Sequence, residues 1–396
     1  MRILFVVPHI PHPTQGGAAI RNWHLIHAAA EAGHVVHLIT PDQFRAGLDA
    51  PPQPLAVPAF RRTIAQRLRD LLFSRAPDLA HRLGAHRLRP EIARLRREHR
   101  YDLIQVEGLE MWPSVTDCAI STIYDAHNAE ATLQHRMAVQ AWRDRNFVRA
   151  VYSASQARRL RRYEADAMRQ AARTIAVSDS DASALRKLAP DVTVVAVPIG
   201  VDTAYYSPDR VHTHVPTTDV VFTGTLDYRA NEDAAAWFAQ YVWPLIRRSQ
   251  PEARCAFVGR NPNAALRALN GQSGITVRGS VPDDRPYMAA ASVYILPIRF
   301  GAGVRVKLLN AMSMACPIVA TPASCEGVAV RDGQHLIVAA AKPVAFARAV
   351  LALLDDPQRG SVLGQAARDL VAKQYDWSVC TPKLLAVYAE MERNDD

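Results

Sequence analysis

Short apolar, β-branched runs alternate with longer stretches of helical periodicity along nearly the whole chain, and that rhythm restricts the fold more than any other feature. Residues 2–7, 35–40, 103–106, 119–124, 173–177 and 192–197 read as strands, with a helical stretch at 18–32 between the first two. Short runs of this kind between helical stretches belong to parallel strands covered on both faces. A polar stretch at 205–218, holding Pro208 and Pro216 and lacking periodicity, breaks the rhythm. It then restarts, with strands at 220–223, 255–258, 275–278, 293–296 and 318–321 and helices at 231–246 and 307–314. The expected architecture is α/β, with two Rossmann-like, doubly wound parallel-sheet domains facing a cleft. The expected boundaries are 1–204 for an N-terminal domain, 205–218 for a linker, 219–374 for a C-terminal domain and 375–396 for a closing helical segment.

The composition agrees with that plan. A chain of 396 residues, 49% of them hydrophobic, can build two cores. Five scattered cysteines without CxxC spacing argue against a disulfide framework or a zinc site and fit a reducing cytoplasm. The opening MRILFVVPHIPHP has an apolar run of only about five residues, shorter than the roughly 7–15 of a signal segment, and reads as a first buried strand. No run approaches the ~18 apolar residues of a membrane span. The net charge of +9 is concentrated in residues 61–100, where twelve arginines face Asp70, Asp78, Glu91 and Glu98. With Leu71-Leu72-Phe73 among them, these residues read as amphipathic helices. They form either a face for an anionic membrane or acceptor, or a plain solvated basic face. The first reading places the protein in the cytoplasm, peripheral at the inner membrane face. No nucleic-acid module is recognisable, so nucleic acid is not an expected partner.

Ligands of doubly wound sheets bind beyond the C-terminal ends of the strands, so the loops there are the candidates. After the first strand, HIPHPTQGGAAIR brings Gly16 and Gly17 to a helix start, where backbone amides suit a phosphate; a simple turn into a helix is the alternative. In YDAHNAE, His127 can hydrogen-bond a sugar hydroxyl or steady a leaving phosphate. The same stretch also reads as a helix cap, with Asp125 or Asn128 capping and Glu130 in the first turn. Gly224 and Thr225 end the first strand of the second domain, and Arg229 follows, either reaching a phosphate or solvated. In GAGVRVKLLNAM, Gly301 and Gly303 permit tight turns, and Arg305 and Lys307 can meet a diphosphate or stay solvated. Glu326 and Gly327 lie in a later loop, where the carboxylate holds a sugar hydroxyl or is an ordinary loop residue. Asp179-Ser180-Asp181 looks like a metal-binding D-x-D, but helix capping accounts for it, and no metal is expected.

Taken together, these segments resemble the glycosyltransferases of the GT-B fold, specifically the retaining family 4. The resemblance rests on VVPHIPHPTQGGAAIRN, YDAHNAE and VPIGVD in the first domain. In the second it rests on FTGTLDYRANEDAAAWF, CAFVGRNP and the long block 279–328. It implies transfer of a sugar from a nucleotide-diphosphate donor to a hydroxyl acceptor such as a glycan, a lipid-linked glycan or a natural product, with retention and without metal. It places Gly16 and Gly17 by the donor diphosphate, His127 near the transferred sugar, and Arg305 and Lys307 on the leaving diphosphate. Gly224, Thr225, Arg229, Gly303, Asn310, Glu326 and Gly327 line the donor site. It also implies that the closing helix crosses back onto the first domain. Two alternatives stand beside it: another GT-B reaction such as nucleotide-sugar epimerisation, or a non-catalytic sugar-nucleotide-binding protein.

The chain departs from the family pattern in places. Two glutamates eight positions apart are usual in the GAGVRVKLLNAM region, and here Ala302 and Asn310 stand there. Thr225 and Ala230 replace a usual arginine and lysine, and Ile199 replaces an asparagine. The second glutamate normally accepts from both ribose hydroxyls, whereas an asparagine offers one neutral acceptor and two donors. Three readings of Asn310 follow: weaker hold on an ordinary UDP- or GDP-sugar, accommodation of a dTDP-sugar with one fewer hydroxyl, or a degenerate site.

Overall fold

A computed structural model describes residues 1–14, 16–41, 55–56, 62–116, 120–143, 145–211, 215–301 and 303–395. Ala302 lies outside them. The chain forms two compact units. Met1–Pro198 and Cys380–Asp396 make the first, and Ile199–Val379 makes the second.

The first unit is built on seven parallel strands: β1 (Arg2–Val6), β2 (Val35–Thr40), β3 (Leu55–Ala56), β4 (Leu103–Glu107), β5 (Ser121–Ala126), β6 (Arg173–Ala176) and β7 (Val194–Ala196). Their order is β3-β2-β1-β4-β5-β6-β7. Ile3 to Val7 are fully buried, as is all of β4, so both faces of the sheet are covered and apolar runs are required there. Val6 pairs with Ile39 on one side and Val106 on the other, so the strand order reverses between β1 and β4. The helix Gly17–Glu31 starts from the loop after β1, with Gly16 at φ 76°. A helical hairpin, Glu130–Arg143 and Phe147–Gln170, follows β5.

The second unit repeats the plan with six parallel strands: β8 (Thr218–Thr223), β9 (Cys255–Val258), β10 (Ile275–Arg278), β11 (Ala291–Leu296), β12 (Ile318–Ala320) and β13 (Ile337–Val338), ordered β10-β9-β8-β11-β12-β13. Here the order reverses between β8 and β11. Crevices at such reversals are where doubly wound sheets bind ligands. The loops after β8 and β11 are those that carry Gly224 and Arg305.

Two details differ from the sequence expectations. β3 and β13 are two-residue edge strands, too short to leave a pattern. The stretch 205–218 is not a free linker, because its start is tied into the second unit. Arg285 Nη1 donates to the Tyr205 carbonyl at 2.7 Å with its guanidinium 3.6 Å above the Tyr205 ring, and Ser313 Oγ donates to the Tyr206 carbonyl at 2.6 Å. The division between units accordingly falls after Pro198. The final helix, Trp377–Asp395, begins in the second unit, and from Cys380 its residues belong to the first. No helix among the described residues is long and apolar enough to cross a membrane.

Candidate active site

In the first unit, charged groups converge at the C-terminal ends of β4 and β5. Glu107 closes β4, Asp125 lies in β5, and both are fully buried. A carboxylate there needs partners, or it would neutralise. Asp125 receives Arg21 of the first helix, with Nη2 at 2.8 Å from Oδ2 and 3.2 Å from Oδ1, and Nε at 3.1 Å from Oδ2. Arg21 is itself buried and donates to the Val197 carbonyl at 2.9 Å. Burial, then the Glu107 charge, push Asp125 up to about 6 against the pull of Arg21 and His127.

Glu107 is the centre of a second set of bonds. Gln105 Nε2 donates to its Oε1 at 2.7 Å, and His127 Nε2 stands 2.9 Å from its Oε2. Asn22, with its amide nitrogen turned toward them, donates to Oε2 at 2.8 Å and to the Ala18 carbonyl at 3.1 Å. Gln105 Oε1 in turn accepts from the hydroxyl of Tyr388 on the final helix. Burial alone would lower the His127 pKa; the Glu107 hydrogen bond and the Glu107 and Asp125 charges outweigh it and raise the value. With Nε2 donating to Glu107, the neutral ring keeps Nδ1 as an acceptor, and the protonated ring donates from both nitrogens. The His127 side chain is 14% exposed, so one edge reaches solvent.

Glu107, Asp125 and His127 offer atoms within 4.8 Å of one another, the kind of grouping that can hold a cation. Their oxygens are already engaged by Arg21, Gln105, Asn22 and His127, and the guanidinium supplies the positive charge. We read the cluster as a charge network.

The capping role expected of Asp125 and Asn128 belongs to other residues. Glu164, from the second hairpin helix, accepts from the Glu130 amide at 2.9 Å and the Ala131 amide at 3.0 Å, and Asp181 accepts from the Ala129 amide at 3.2 Å. Asp125 cannot cap because it points to Arg21, and Asn128 donates to the Glu130 carboxylate instead. The Asp179-Ser180-Asp181 stretch opens the helix Asp179–Leu188, with Ser178 as its cap accepting from the Asp181 amide at 3.1 Å. Gly16 and Gly17 start the first helix, whose first-turn amides are the orphan donors of any helix N-terminus.

In the second unit the centre is Lys307, near the start of the helix Val306–Ser313. Its Nζ donates to the Thr223 carbonyl and to Asn231 Oδ1, each at 2.9 Å, and lies 4.6 Å from the centre of the Phe222 ring. A Cβ at Gly224 would fall 2.2 Å from Nζ, so only glycine, at φ 143°, leaves room for the ammonium. A Cβ at Gly259, beside it at the end of β9, would fall 1.7 Å from the Gly224 carbonyl oxygen. Burial, then the Arg305 charge, lower Lys307 to about 7, with Asp284 opposing. Arg305 is the backbone cap of the same helix, and its guanidinium packs on Gly301, where a Cβ would lie 2.5 Å from Nη2.

The remaining expected residues surround this centre to different degrees. The Thr225 carbonyl accepts from Asn231 Nδ2 at 2.8 Å, and its Oγ1 accepts from Arg260 Nε at 3.2 Å. Arg229 is exposed, its guanidinium 5.4 Å from the centre of the Phe300 ring. Gly303 has φ 81°. Asn310 lies one turn beyond Lys307 on the same helix face, partly exposed, and its side chain bonds to none of the described residues. Glu326 and Gly327 follow the turn Pro322–Ser324, which Ser324 Oγ ties to the Leu296 carbonyl of β11 at 2.6 Å. Sequence reasoning passed over Arg21, Glu107 and Asn231. Glu107 carried a signal, since it is a carboxylate at the C-terminal end of an apolar strand.

The chain is similar to known proteins in both of its units. A family model described as "Glycosyltransferase Family 4" matches residues 15–205, and one described as "Glycosyl transferases group 1" matches residues 217–356. A phosphatidyl-myo-inositol mannosyltransferase of Mycobacterium leprae is 31% identical over 37% of this chain and 40% of its own length. A GDP-mannose-dependent alpha-(1-6)-phosphatidylinositol monomannoside mannosyltransferase of Mycobacterium tuberculosis is 29% identical over 52% of this chain and 57% of its own length. The chain thus spans little more than half of these relatives at most. Among solved structures, sucrose-phosphate synthase from Thermosynechococcus elongatus aligns with TM-score 0.74 over 100% of both chains at 16% identity. Anabaena HepE in complex with UDP and glucose aligns with TM-score 0.65 over 98% of this chain and 99% of that one, at 15% identity.

Proposed function

The chain belongs to the GT-B glycosyltransferases of family 4 and group 1, and we propose that it moves a sugar from a nucleotide-diphosphate donor to an acceptor hydroxyl. The observation that carries this reading is the Lys307 ammonium, held beside side-chain-free Gly224 at the strand reversal of the second sheet. A part-buried lysine whose pKa has fallen to about 7 is poised to take up a proton as an anionic diphosphate approaches, and Arg305 adds a second cation at the same helix start. His127, fixed by Glu107, serves the transferred sugar or the charge of the departing diphosphate. In our reading the reaction retains anomeric configuration, the acceptor attacking from the face the nucleotide leaves. It needs no metal, because Arg305 and Lys307 supply the positive charge. The acceptor is a hydroxyl of a glycan, a lipid-linked glycan or a natural product, and the phosphatidylinositol mannosides named for the relatives are of the second kind.

The basic residues 61–100 form the helices Ile64–Phe73 and Arg89–His99. Some of their arginines are engaged internally, Arg62 with Asp78 at 2.9 Å and Arg94 with Glu91 and Glu98. What supports membrane contact through this segment is the outward placement of Ile64, Leu68 and Phe73.

Calorimetric titration with UDP, GDP and dTDP, followed by transfer assays with the matching sugar donors, tests the reading. Binding that weakens about 10–100-fold in Lys307→Ala and in Arg305→Ala, with transfer lost in His127→Ala, supports it. A second reading, a sugar-nucleotide-binding protein without turnover, is favoured by the neutral Asn310 amide, which bonds to none of the described residues, in place of a carboxylate. Tight nucleotide binding with no turnover across an acceptor panel would establish that reading instead.

A further inference from the structure

The helical hairpin of the first unit is arranged against the usual rule for a surface helix, which turns its large apolar residues inward. Near the hairpin's turn the inward positions are small: Ala138, Ala141, Ala150 and Ser153 are all buried. The outward positions are large: Trp142 is 63% exposed, Phe147 54%, Val148 86% and Val151 66%. Trp142 and Phe147 stack edge to face with ring centres 5.2 Å apart, joining the two helices into one apolar tip. Behind it lies a hollow of ≈ 460 Å³, floored by Ala138, Ala150 and Ala154 and walled by Val139, Trp142 and Val151. Among the described residues nothing else in the first unit covers this surface, and an apolar patch of that kind marks an interaction site.

Charge identifies the partner. Residues 131–163 contain eight arginines and a single acidic residue, Asp144. Arg143 and Arg145 are exposed beside the tip, and Arg158, Arg161 and Arg162 are exposed further along the second helix. An apolar, aromatic tip with a basic collar matches the layering of an anionic bilayer, where Trp and apolar residues enter the interface and arginines meet the headgroups. A second copy docking by the same patch would set these arginines against themselves. We propose that the Trp142–Val151 tip docks the protein on the surface of an anionic lipid bilayer, the hollow accepting part of an acyl chain. This goes beyond the proposed transfer reaction and does not depend on it.

The test is co-sedimentation of the full chain with vesicles of phosphatidylcholine alone and of equal parts phosphatidylcholine and phosphatidylglycerol, without donor or acceptor. We expect binding to the mixed vesicles that falls roughly tenfold or more on phosphatidylcholine alone and with rising salt. A Trp142→Ser/Phe147→Ser/Val148→Ser variant, whose changes are all exposed and whose melting curve should be unaltered, loses the binding by a similar factor. So does Arg143→Gln/Arg145→Gln. A variant neutralising the exposed Arg69, Arg75 and Arg97 of the 61–100 segment weakens it by less than the tip changes do, because that segment supplies only an additional contact. The proposal is overturned if the serine variant binds as the parent does, or if binding does not distinguish the two vesicle types. It is equally overturned if sedimentation velocity shows the serine changes dissolving a dimer while vesicle binding persists.

Discussion

Glu107 Oε2 stands 2.9 Å from His127 Nε2, at the end of a buried hydrogen-bond chain that runs from Tyr388 through Gln105. Glu107 is therefore a positioning residue, holding the imidazole in one orientation and one charge bias. Glu107→Gln keeps the shape and removes the charge. Turnover should fall about 10–100-fold with KM little changed, less than the roughly 10²–10³ that outright loss of a charge-stabilising donor costs. The sign of the pKa change follows from the causes. Glu107 raises His127 against burial, so without its charge burial prevails and the His127 midpoint, followed by NMR of its ring carbon, moves to lower pH. An unmoved midpoint would reduce Glu107 to a structural residue.

Gly224 and Lys307 are coupled in the same way. Gly224→Ala introduces a Cβ 2.2 Å from Nζ, at a φ of 143° that alanine also resists. We expect it to reproduce the donor-binding defect of Lys307→Ala, about 10–100-fold in Kd, the ~1.5–3 kcal/mol of a charged hydrogen bond. The parent's affinity should weaken as pH rises above about 7, because Lys307 loses its proton there, and binding near neutrality should take up a proton. Calorimetry in two buffers of different ionisation enthalpy reads that uptake directly. Affinity flat from slightly acid to alkaline pH would remove Lys307 from the diphosphate.

Much of this was legible in the sequence, and the reason is local. Strands such as 3–7 and 220–223 are buried on both faces, so composition alone marks them, and strand ends in a doubly wound sheet point to the loops holding Gly224, Arg305 and His127. What was not legible depends on residues distant in sequence. Tyr388 meets Gln105 across 283 positions, Glu164 caps a helix that begins 34 residues earlier, and Asn231 holds Lys307 from 76 away. Nothing next to any of these announces its partner. The expected cap at Asp125 failed for the same reason, since Arg21, more than a hundred residues away, claims that carboxylate.

Glu164 gives a stability prediction. Its two oxygens satisfy the Glu130 and Ala131 amides at the start of the first hairpin helix. Glu164→Ala leaves both buried donors unpaired and should cost about 1–3 kcal/mol in denaturant unfolding. Exchange of the Glu130 and Ala131 amides should rise by more than that of the sheet. Glu164→Gln, which retains one acceptor oxygen, should recover part of the loss.

Asn310 gives a prediction about donor choice. Its side chain bonds to none of the described residues and lies one turn beyond Lys307, so its amide is available to whatever Lys307 approaches. A neutral amide oxygen contributes roughly 0.5–1.5 kcal/mol to a hydroxyl, and a carboxylate about 1.5–3. A carboxylate can also accept from two adjacent ribose hydroxyls at once, whereas the amide oxygen is best matched to one. Asn310→Glu should therefore tighten UDP and GDP relative to dTDP, raising the UDP-to-dTDP affinity ratio about tenfold, while the parent discriminates little between them. If the parent already binds UDP at least as tightly as dTDP and Asn310→Glu changes neither, Asn310 does not touch the ribose. The sugar-bearing end of the donor would then have to be what the second unit recognises through Gly303, Glu326 and Gly327.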